Sequence, residues 1–335
     1  MSAAVPLFSV VVPSRGDPAK LDALLAALED QTLPRERFEV LLALDGAALP
    51  GALAPRLAGL NGRGVSLATR RGPGAARNAG ANLARASWLA FTEDDVTPAP
   101  DWLAEAAARI ERPPQPDVIE GVTLLPGGRP LRVGLEEGLQ YLPTTLFVRR
   151  SWFERVGGYH EGFFDAVRGV YFREDADLGF SLETLRAVAV REPRVRVTHP
   201  EEHPGPWDPV RWAARYEMDP LLARRHPRLF RERIEVHRVG PFRVRRPIVR
   251  ACAGVVALTA LALVLALTGR AAGARLAALG AIACWLPVWA KWRFSPARLP
   301  AALVVPFALM LALARGVPRA SAWAAARAKE RVGTY

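Results

Sequence analysis

An apolar run from Ala86 to Thr92 ends in Glu93-Asp94-Asp95, and about eighty residues later the chain carries a second acidic group, Glu174-Asp175-Ala176-Asp177. Carboxylates crowded at one point repel each other unless a cation or a proton lies between them, so the first group is a candidate site for a hard divalent ion such as Mg²⁺ or Mn²⁺. A second, separate carboxylate group can supply a base. Each group also has a plainer explanation. Glu93, Asp94 and Asp95 can decorate a turn before Pro98 and cap a helix expected from Asp101. Asp175 can cap a helix from Ala176 to about Leu185, with Asp177 adding favourable charge to its first turn. His199 follows the strand-like Val195-Arg196-Val197 and lies near His203. A lone histidine in such a place is more often structural than a ligand.

The elements that must position these residues are legible as short apolar strands. Phe8–Val12, Phe38–Leu44 and Val65–Thr69 read as buried strands, and Trp88–Phe91 as a fourth that is apolar on both faces and bounded by small and polar residues. Helical spacing separates them over Lys20–Glu29 and Ala75–Ala84. Strands alternating with helices predict an α/β domain with a mostly parallel sheet covered on both faces. In such sheets ligands bind at the carboxyl ends of the strands, which is where Asp45 and Glu93-Asp94-Asp95 fall. There Asp45 can accept hydrogen bonds from a base or a ribose, or simply form a turn before Gly46.

Arg70-Arg71-Gly72-Pro73-Gly74-Ala75-Ala76-Arg77 can offer backbone N–H groups and a helix N-terminus to a phosphate. A dinucleotide fingerprint needs Gly where Arg77 stands and belongs after the first strand, so a Rossmann dehydrogenase is excluded. Arg70, Arg71 and Arg77 can neutralise a pyrophosphate, with at least one of them expected in a structural ion pair.

Charge divides the chain. Residues 236–335 hold fifteen Lys and Arg and one acid, Glu330, a balance of +14 against +12 for the whole chain, which leaves −2 for residues 1–235. The basic third also holds the long apolar runs, about 248–268 and 271–290, each long enough for a bilayer core, and a third at about 299–316 interrupted by Pro300 and Pro306. Arg243, Arg245, Arg246 and Arg250 precede the first run, and Lys291, Arg293 and Arg298 follow the second. The positive-inside rule puts both flanks, and the domain of residues 1–235, in the cytoplasm. Arg315, Arg319, Arg327, Lys329 and Arg331 keep the tail there too, which predicts two spans with the third segment lying on the inner leaflet. Residues 1–12 lack a basic start and a long apolar core, so no secretory signal is expected. Cys252 and Cys284, both in the apolar runs, offer neither a disulfide framework nor a thiolate metal site. The basic excess beside apolar runs argues for membrane lipids and against nucleic acid as its partner.

Taken in order, several stretches resemble the family 2 glycosyltransferases of GT-A fold, of the membrane-anchored bacterial type. They are Ser9-Val10-Val11-Val12-Pro13, Leu44-Asp45-Gly46, Gly74-Ala75-Ala76-Arg77-Asn78-Ala79-Gly80 and Phe91-Thr92-Glu93-Asp94-Asp95, continuing through Pro98 to Asp101-Trp102-Leu103. Arg149-Arg150, Val156-Gly157-Gly158-Tyr159, Phe172-Arg173-Glu174-Asp175-Ala176-Asp177-Leu178 and Val197-Thr198-His199-Pro200 follow. The likeness runs over about residues 7–230.

The resemblance implies a nucleotide-sugar-binding domain with Pro13, Arg15 and Asp45 lining the nucleotide pocket. It places Glu93-Asp94-Asp95 at the family's DxD motif, with Asp95 as a direct metal ligand and His199 as a further ligand or phosphate contact. Glu93 and Asp94 are then donor-binding together with Arg71 and Arg77, and Asp175 is the catalytic base. Three departures stand out: Glu93 replaces an Asp, His160 replaces an Asp, and Asp45 lacks an acidic neighbour before it.

The expected activity is inverting, metal-dependent transfer from a nucleotide-sugar donor to a lipid-linked or cell-envelope glycan acceptor at the inner face of the cytoplasmic membrane. A polyprenyl phosphate acceptor is a close variant, because an acceptor already anionic has little need of a base. A non-catalytic membrane scaffold that keeps a nucleotide-sugar pocket is the alternative from a different class.

Overall fold

The computed structural model describes residues 5–131, 138–201 and 203–332. It divides into two compact units, residues 1–133 with 137–202, and residues 134–136 with 203–335.

The first unit is built on an eight-stranded sheet in the order β3-β2-β1-β4-β7-β6-β10-β5. The strands are β1 (Phe8–Ser14), β2 (Phe38–Asp45), β3 (Arg63–Leu67), β4 (Trp88–Phe91), β5 (Thr97–Pro98), β6 (Val118–Leu124), β7 (Leu146–Arg149) and β10 (Ala189–Thr198). Pairings among β3, β2, β1 and β4, and between β6 and β10, are parallel. Only β7 and the short β5 run against the rest. A separate two-residue hairpin, β8 (Phe164–Asp165) with β9 (Val170–Tyr171), lies outside the sheet.

Alternation with a period of two, with a core on each face, explains why the central strands are mostly apolar on both faces. Phe8, Val10 and Val12 of β1 enter one core with Phe38, Val40 and Leu42 of β2, while Val11 and Leu41 enter the other. Helices α1 (Pro18–Glu29) and α4 (Trp102–Glu111) cover the first face through Leu21, Leu25, Leu28, Trp102 and Leu103. Helices α3 (Pro73–Asn82), α5 (Arg150–Val156) and α6 (Glu174–Thr184) cover the second through Ala81, Phe153, Leu178 and Leu182. The small helix α2 (Ala54–Gly59) adds Leu57 to the first core.

Two carboxylates inside the sheet are fully satisfied and so belong to the scaffold. Glu39 accepts from Ser9 Oγ, from the Arg85 backbone N–H and from the guanidinium groups of Arg63 and Arg85. Glu120 accepts from the backbone N–H groups of Gln140 and Tyr141 and from Arg191.

The second unit holds α7 (Asp208–Ala214), α8 (Asp219–Arg225), α9 (Pro227–Arg233), the hairpin of β11 (Val236–Val239) and β12 (Phe242–Arg245), and three long helices. These are α10 (Pro247–Leu267), α11 (Ala271–Ala290) and α12 (Leu299–Val332). All three are long and apolar enough to cross a membrane by length and composition. The first two coincide with the expected runs.

The third does not stop near residue 316 as its sequence suggests: α12 continues for 34 residues through Pro306 and Pro318. Packing on both sides of Pro318 accounts for its survival. Gly316 sits so close to the backbone of Glu217 that a Cβ would collide with it, and Arg319 Nη1 lies 3.3 Å from Glu217 Oε1. Residues 203–235 thus group with the apolar helices, ahead of the compositional boundary at 235. Residues Met1–Ala4 and the side chains of Arg327, Lys329 and Arg331 lie outside the described residues.

Candidate functional site

Parallel strands bring their carboxyl ends to one edge of the sheet, and the sequence has loaded that edge with polar groups. At the end of β1, Pro13 is buried, Arg15 is exposed just beyond the strand, and Ser14 Oγ donates to Asp94 Oδ2 at 2.5 Å. Ser14 Oγ also accepts from the Gly16 N–H at 3.0 Å, so one hydroxyl ties two loops together. Lys20 Nζ lies 3.0 Å from Asp95 Oδ2.

Asp45, at the end of β2, turns out to organise a loop. Its Oδ1 accepts from the Arg71 backbone N–H at 2.6 Å and its Oδ2 from that of Gly72 at 2.9 Å. Gly72 is the N-cap of α3 with φ of 90°, a conformation a side chain resists, and a Cβ there would strike the Phe164 ring. The Arg71 side chain is exposed and pairs with Glu161.

Glu93, Asp95 and His199 offer ligand atoms that all lie within 4.8 Å of one another. The two-residue ladder of β5 with β10, Pro98 opposite Val197 and Thr97 opposite Thr198, brings the acidic turn to the histidine. His199 Nδ1 is 2.7 Å from the Pro200 carbonyl oxygen. A carbonyl can only accept, so Nδ1 donates in this contact and Nε2 is the nitrogen left for a metal. Two carboxylates and one imidazole suit Mn²⁺ well and Mg²⁺ less so. The trio therefore fits a divalent ion, which the Lys20 ammonium beside Asp95 mimics in charge.

Burial pushes the Glu93 and Asp94 carboxyls above the usual carboxylate range, against the pull of Arg77 on the first and of the Ser14 hydrogen bond on the second.

The second acidic group begins a helix but does not cap it as the sequence suggested. The N-cap of α6 is Arg173, at φ of 72°, and Asp175 is the second helical residue. Asp175 Oδ1 accepts from the Ala176 N–H at 2.7 Å. Burial raises the Asp175 carboxyl above its ordinary value, and burial with the adjacent Asp175 charge pushes Glu174 up to about 7.

Arg77 joins the two groups. It is 1% exposed, its Nη2 lies 2.9 Å from Glu93 Oε1, and its Nη1 lies 3.8 Å from Glu174 Oε1. The guanidinium also lies over the Tyr159 ring, 5.3 Å from its centroid. Of the three arginines near α3, it is the one paired with both Glu93 and Glu174.

Two stretches singled out in the sequence meet here. Asn78 Oδ1 accepts from the Tyr159 N–H at 2.9 Å, and Asn78 Nδ2 donates to the Tyr159 carbonyl at 2.8 Å. His160 Nδ1 accepts from the Gly162 N–H at 3.1 Å, doing the turn-capping work open to an Asp. Next to them a shallow recess is lined by Arg71, Pro73, Gly74, His160, Phe164 and Glu174, among others.

Sequence reasoning missed Lys20, Ser14, Tyr159 and the role of Glu174. Only Glu174 and Tyr159 had a signal, as members of ordered motifs; Lys20 and Ser14 reach the acidic turn across more than seventy residues of chain.

Residues 9–162 match the family model described as Glycosyl transferase family 2. None of the curated proteins matches the chain. Among solved structures, residues 1–349 of TarS from S. aureus, in complex with UDP, are 18% identical, with a TM-score of 0.50 over 85% of this chain and 91% of that one. The mannosyltransferase PcManGT from Pyrobaculum calidifontis, in complex with GDP-Man and Mn²⁺, is 15% identical, with a TM-score of 0.51 over 95% of this chain and 87% of that one. Against a longer TarS chain the match covers 64% of this chain and 39% of the other, at a TM-score of 0.50 and 19% identity. At such identities the likeness is one of fold.

Proposed function

We propose that the chain, whose residues 9–162 match the family 2 glycosyltransferases and whose fold is of the GT-A type, performs inverting, metal-dependent sugar transfer from a nucleotide-sugar donor to a lipid-linked or cell-envelope glycan acceptor. The observation that carries this reading is the convergence of Glu93, Asp95 and His199, with Arg77 linking that trio to the Glu174-Asp175 pair. The binding of UDP by TarS and of GDP-Man and Mn²⁺ by PcManGT supports a donor of this class.

Within this reading Glu93, Asp95 and His199 hold Mn²⁺ or Mg²⁺, which when bound supplies charge to stabilise the departing diphosphate. Pro13, Arg15 and Asp45 lie at the strand ends where a nucleotide would sit, Asp45 acting by fixing the turn of Arg71 and Gly72. Arg71, exposed and able to leave Glu161, is the side chain placed to meet phosphate oxygens. Asp175 takes the proton of the attacking hydroxyl; burial raises its affinity for a proton, which strengthens it as a base.

The second unit fits a place at the inner face of the cytoplasmic membrane, with the catalytic unit in the cytoplasm. Its arrangement favours two spans. α10 and α11 pair along their lengths, whereas α12 meets them near their flanks: Trp285 Nε1 donates to the Ala302 carbonyl at 2.8 Å, and Cys252, Val288, Val305 and Leu309 share one cluster with Ala213 of α7. Beyond that cluster α12 follows polar protein. Arg319 pairs with Glu217, and Arg225 lies over Trp323. Glu217 is 1% exposed and Asp219, also 1% exposed, pairs with Arg246 just before α10, so this half of α12 shares a side with the start of the first span. A helix held in this way lies along the membrane surface.

The test is turnover by the detergent-solubilised full chain across UDP-, GDP- and dTDP-sugars, with and without Mn²⁺ or Mg²⁺, and with Asp95→Ala as control. Metal-dependent nucleotide release that disappears in the variant is expected; nucleotide binding without release, with membrane extract supplied as acceptor, would instead establish a scaffold.

A further inference from the structure

We propose that Arg77 is a positioning residue that sets the metal-binding carboxylate Glu93 and the base-bearing turn of Glu174-Asp175 relative to each other, and that it does not touch the donor. The inference rests on the functional reading above and deepens it. It departs from the phosphate-neutralising role that the sequence suggests for this arginine.

Burial is the first ground. At 1% exposure the guanidinium lies beneath the edge of the sheet rather than in the open recess, whose lining includes Arg71 and Glu174 but not Arg77. A donor diphosphate must lie where solvent reaches. The second ground is what the two ends of the guanidinium touch. Nη2 holds Glu93 at hydrogen-bond distance, 2.9 Å, and Nη1 faces Glu174 at 3.8 Å, an ion pair without a hydrogen bond. Glu93 comes from the end of β4 and Glu174 from the start of α6, and the cation between them comes from α3. One side chain therefore fixes the spacing of three elements.

The third ground is a shortfall. Arg77 Nε and Nη1 and the Tyr159 hydroxyl are buried and have no hydrogen-bond partner. Buried polar groups left unmade oppose folding, so a site chosen only for stability would not keep three of them together. The guanidinium, stacked on Tyr159, leaves Nη1 without a hydrogen bond on the side that faces Glu174 at 3.8 Å. Both carboxylates are drawn toward a common centre, and Glu93 keeps a second oxygen for an ion.

Three readouts on the full-length protein in detergent test this: the Mn²⁺ dissociation constant by calorimetry without donor, donor KM and kcat at saturating Mn²⁺ with whichever UDP- or GDP-sugar the wild type turns over, and the thermal midpoint. For Arg77→Met we expect at least tenfold weaker Mn²⁺ binding and kcat down by about a hundredfold, with donor KM within threefold. Arg77→Lys, whose ammonium can serve one carboxylate at a time, should restore Mn²⁺ binding to within threefold while leaving kcat at least tenfold low. If Arg77→Met unfolds, Arg77→Lys decides alone through that split.

Donor KM rising tenfold or more with kcat spared would overturn the proposal in favour of direct donor contact. Folded variants with wild-type Mn²⁺ affinity and kcat would overturn it in favour of packing. A wild type that turns over no donor would count against the functional reading, whereas the Mn²⁺ comparison between wild type and variants would still decide the role of Arg77.

Discussion

Lys20 Nζ stands 3.0 Å from Asp95 Oδ2, so a protein cation occupies one oxygen of the carboxylate best placed to receive a metal. The pair is partly exposed, which limits its strength to about 0–1 kcal/mol. Its geometry makes it a competitor. Lys20→Met is expected to tighten Mn²⁺ binding by up to about fivefold, the equivalent of that energy. Calorimetric titration at low salt checks this; an unchanged or weaker affinity would show that the lysine stays clear of the bound ion.

Asp175→Asn separates two acceptor chemistries. If a neutral hydroxyl attacks, loss of the base should lower kcat by about 10²–10⁴-fold with donor KM little changed. A variant keeping most of its activity would point to an anionic acceptor such as a polyprenyl phosphate. Because burial raises the Asp175 carboxyl, the wild-type rate should fall on acidification at a pH above the ordinary Asp range, and the acid limb should move in the variant.

Glu174 makes a separate prediction about stability. Its folded-state pKa is raised from 4.5 to about 7, so between those values the folded protein holds a proton that the unfolded chain has released. Stability contributed by this group is complete below pH 4.5 and is lost as pH rises toward 7, by at most a few kcal/mol. Glu174→Gln should flatten that fall in thermal melts across the window. A variant with the same pH slope as the wild type would place the linkage elsewhere.

The two-span reading predicts the sidedness of single cysteines. With Cys252 and Cys284 replaced by Ser, Ser321→Cys in α12 and Gly269→Cys between α10 and α11 should react with an impermeant thiol reagent from opposite faces of the membrane. Ser321→Cys should be reached only from the cytoplasmic face. Labelling of both from one face would establish a different topology.

The strands were legible wherever both faces are buried, because β1, β2 and β4 are buried without interruption and mostly apolar, Ser9 and Glu39 being internal exceptions. The expected β3 began two residues late, since its pattern is largely exposed and starts at Arg63. β6 and β7 escaped notice for another reason: they pair antiparallel with each other, and β7 is four residues long, so neither shows the strand-helix rhythm that marks the first half. The metal trio was legible as residue types, while the closeness of Glu93, Asp95 and His199 depends on the β5–β10 ladder, which no local pattern encodes. Asp45 and Arg77 make protein contacts that chain position does not reveal, Asp45 with the backbone N–H groups of Arg71 and Gly72 and Arg77 with the carboxylates of Glu93 and Glu174.

The pairing of Thr97-Pro98 with Val197-Thr198 means that the acidic turn acquires its imidazole only when the last strand of the sheet has docked. A chain ending before residue 197 would hold both acidic groups and most of the sheet while lacking His199. If the trio holds a metal as proposed, the partly made protein would bind it weakly during synthesis, and full affinity would arrive with the strand that completes the sheet.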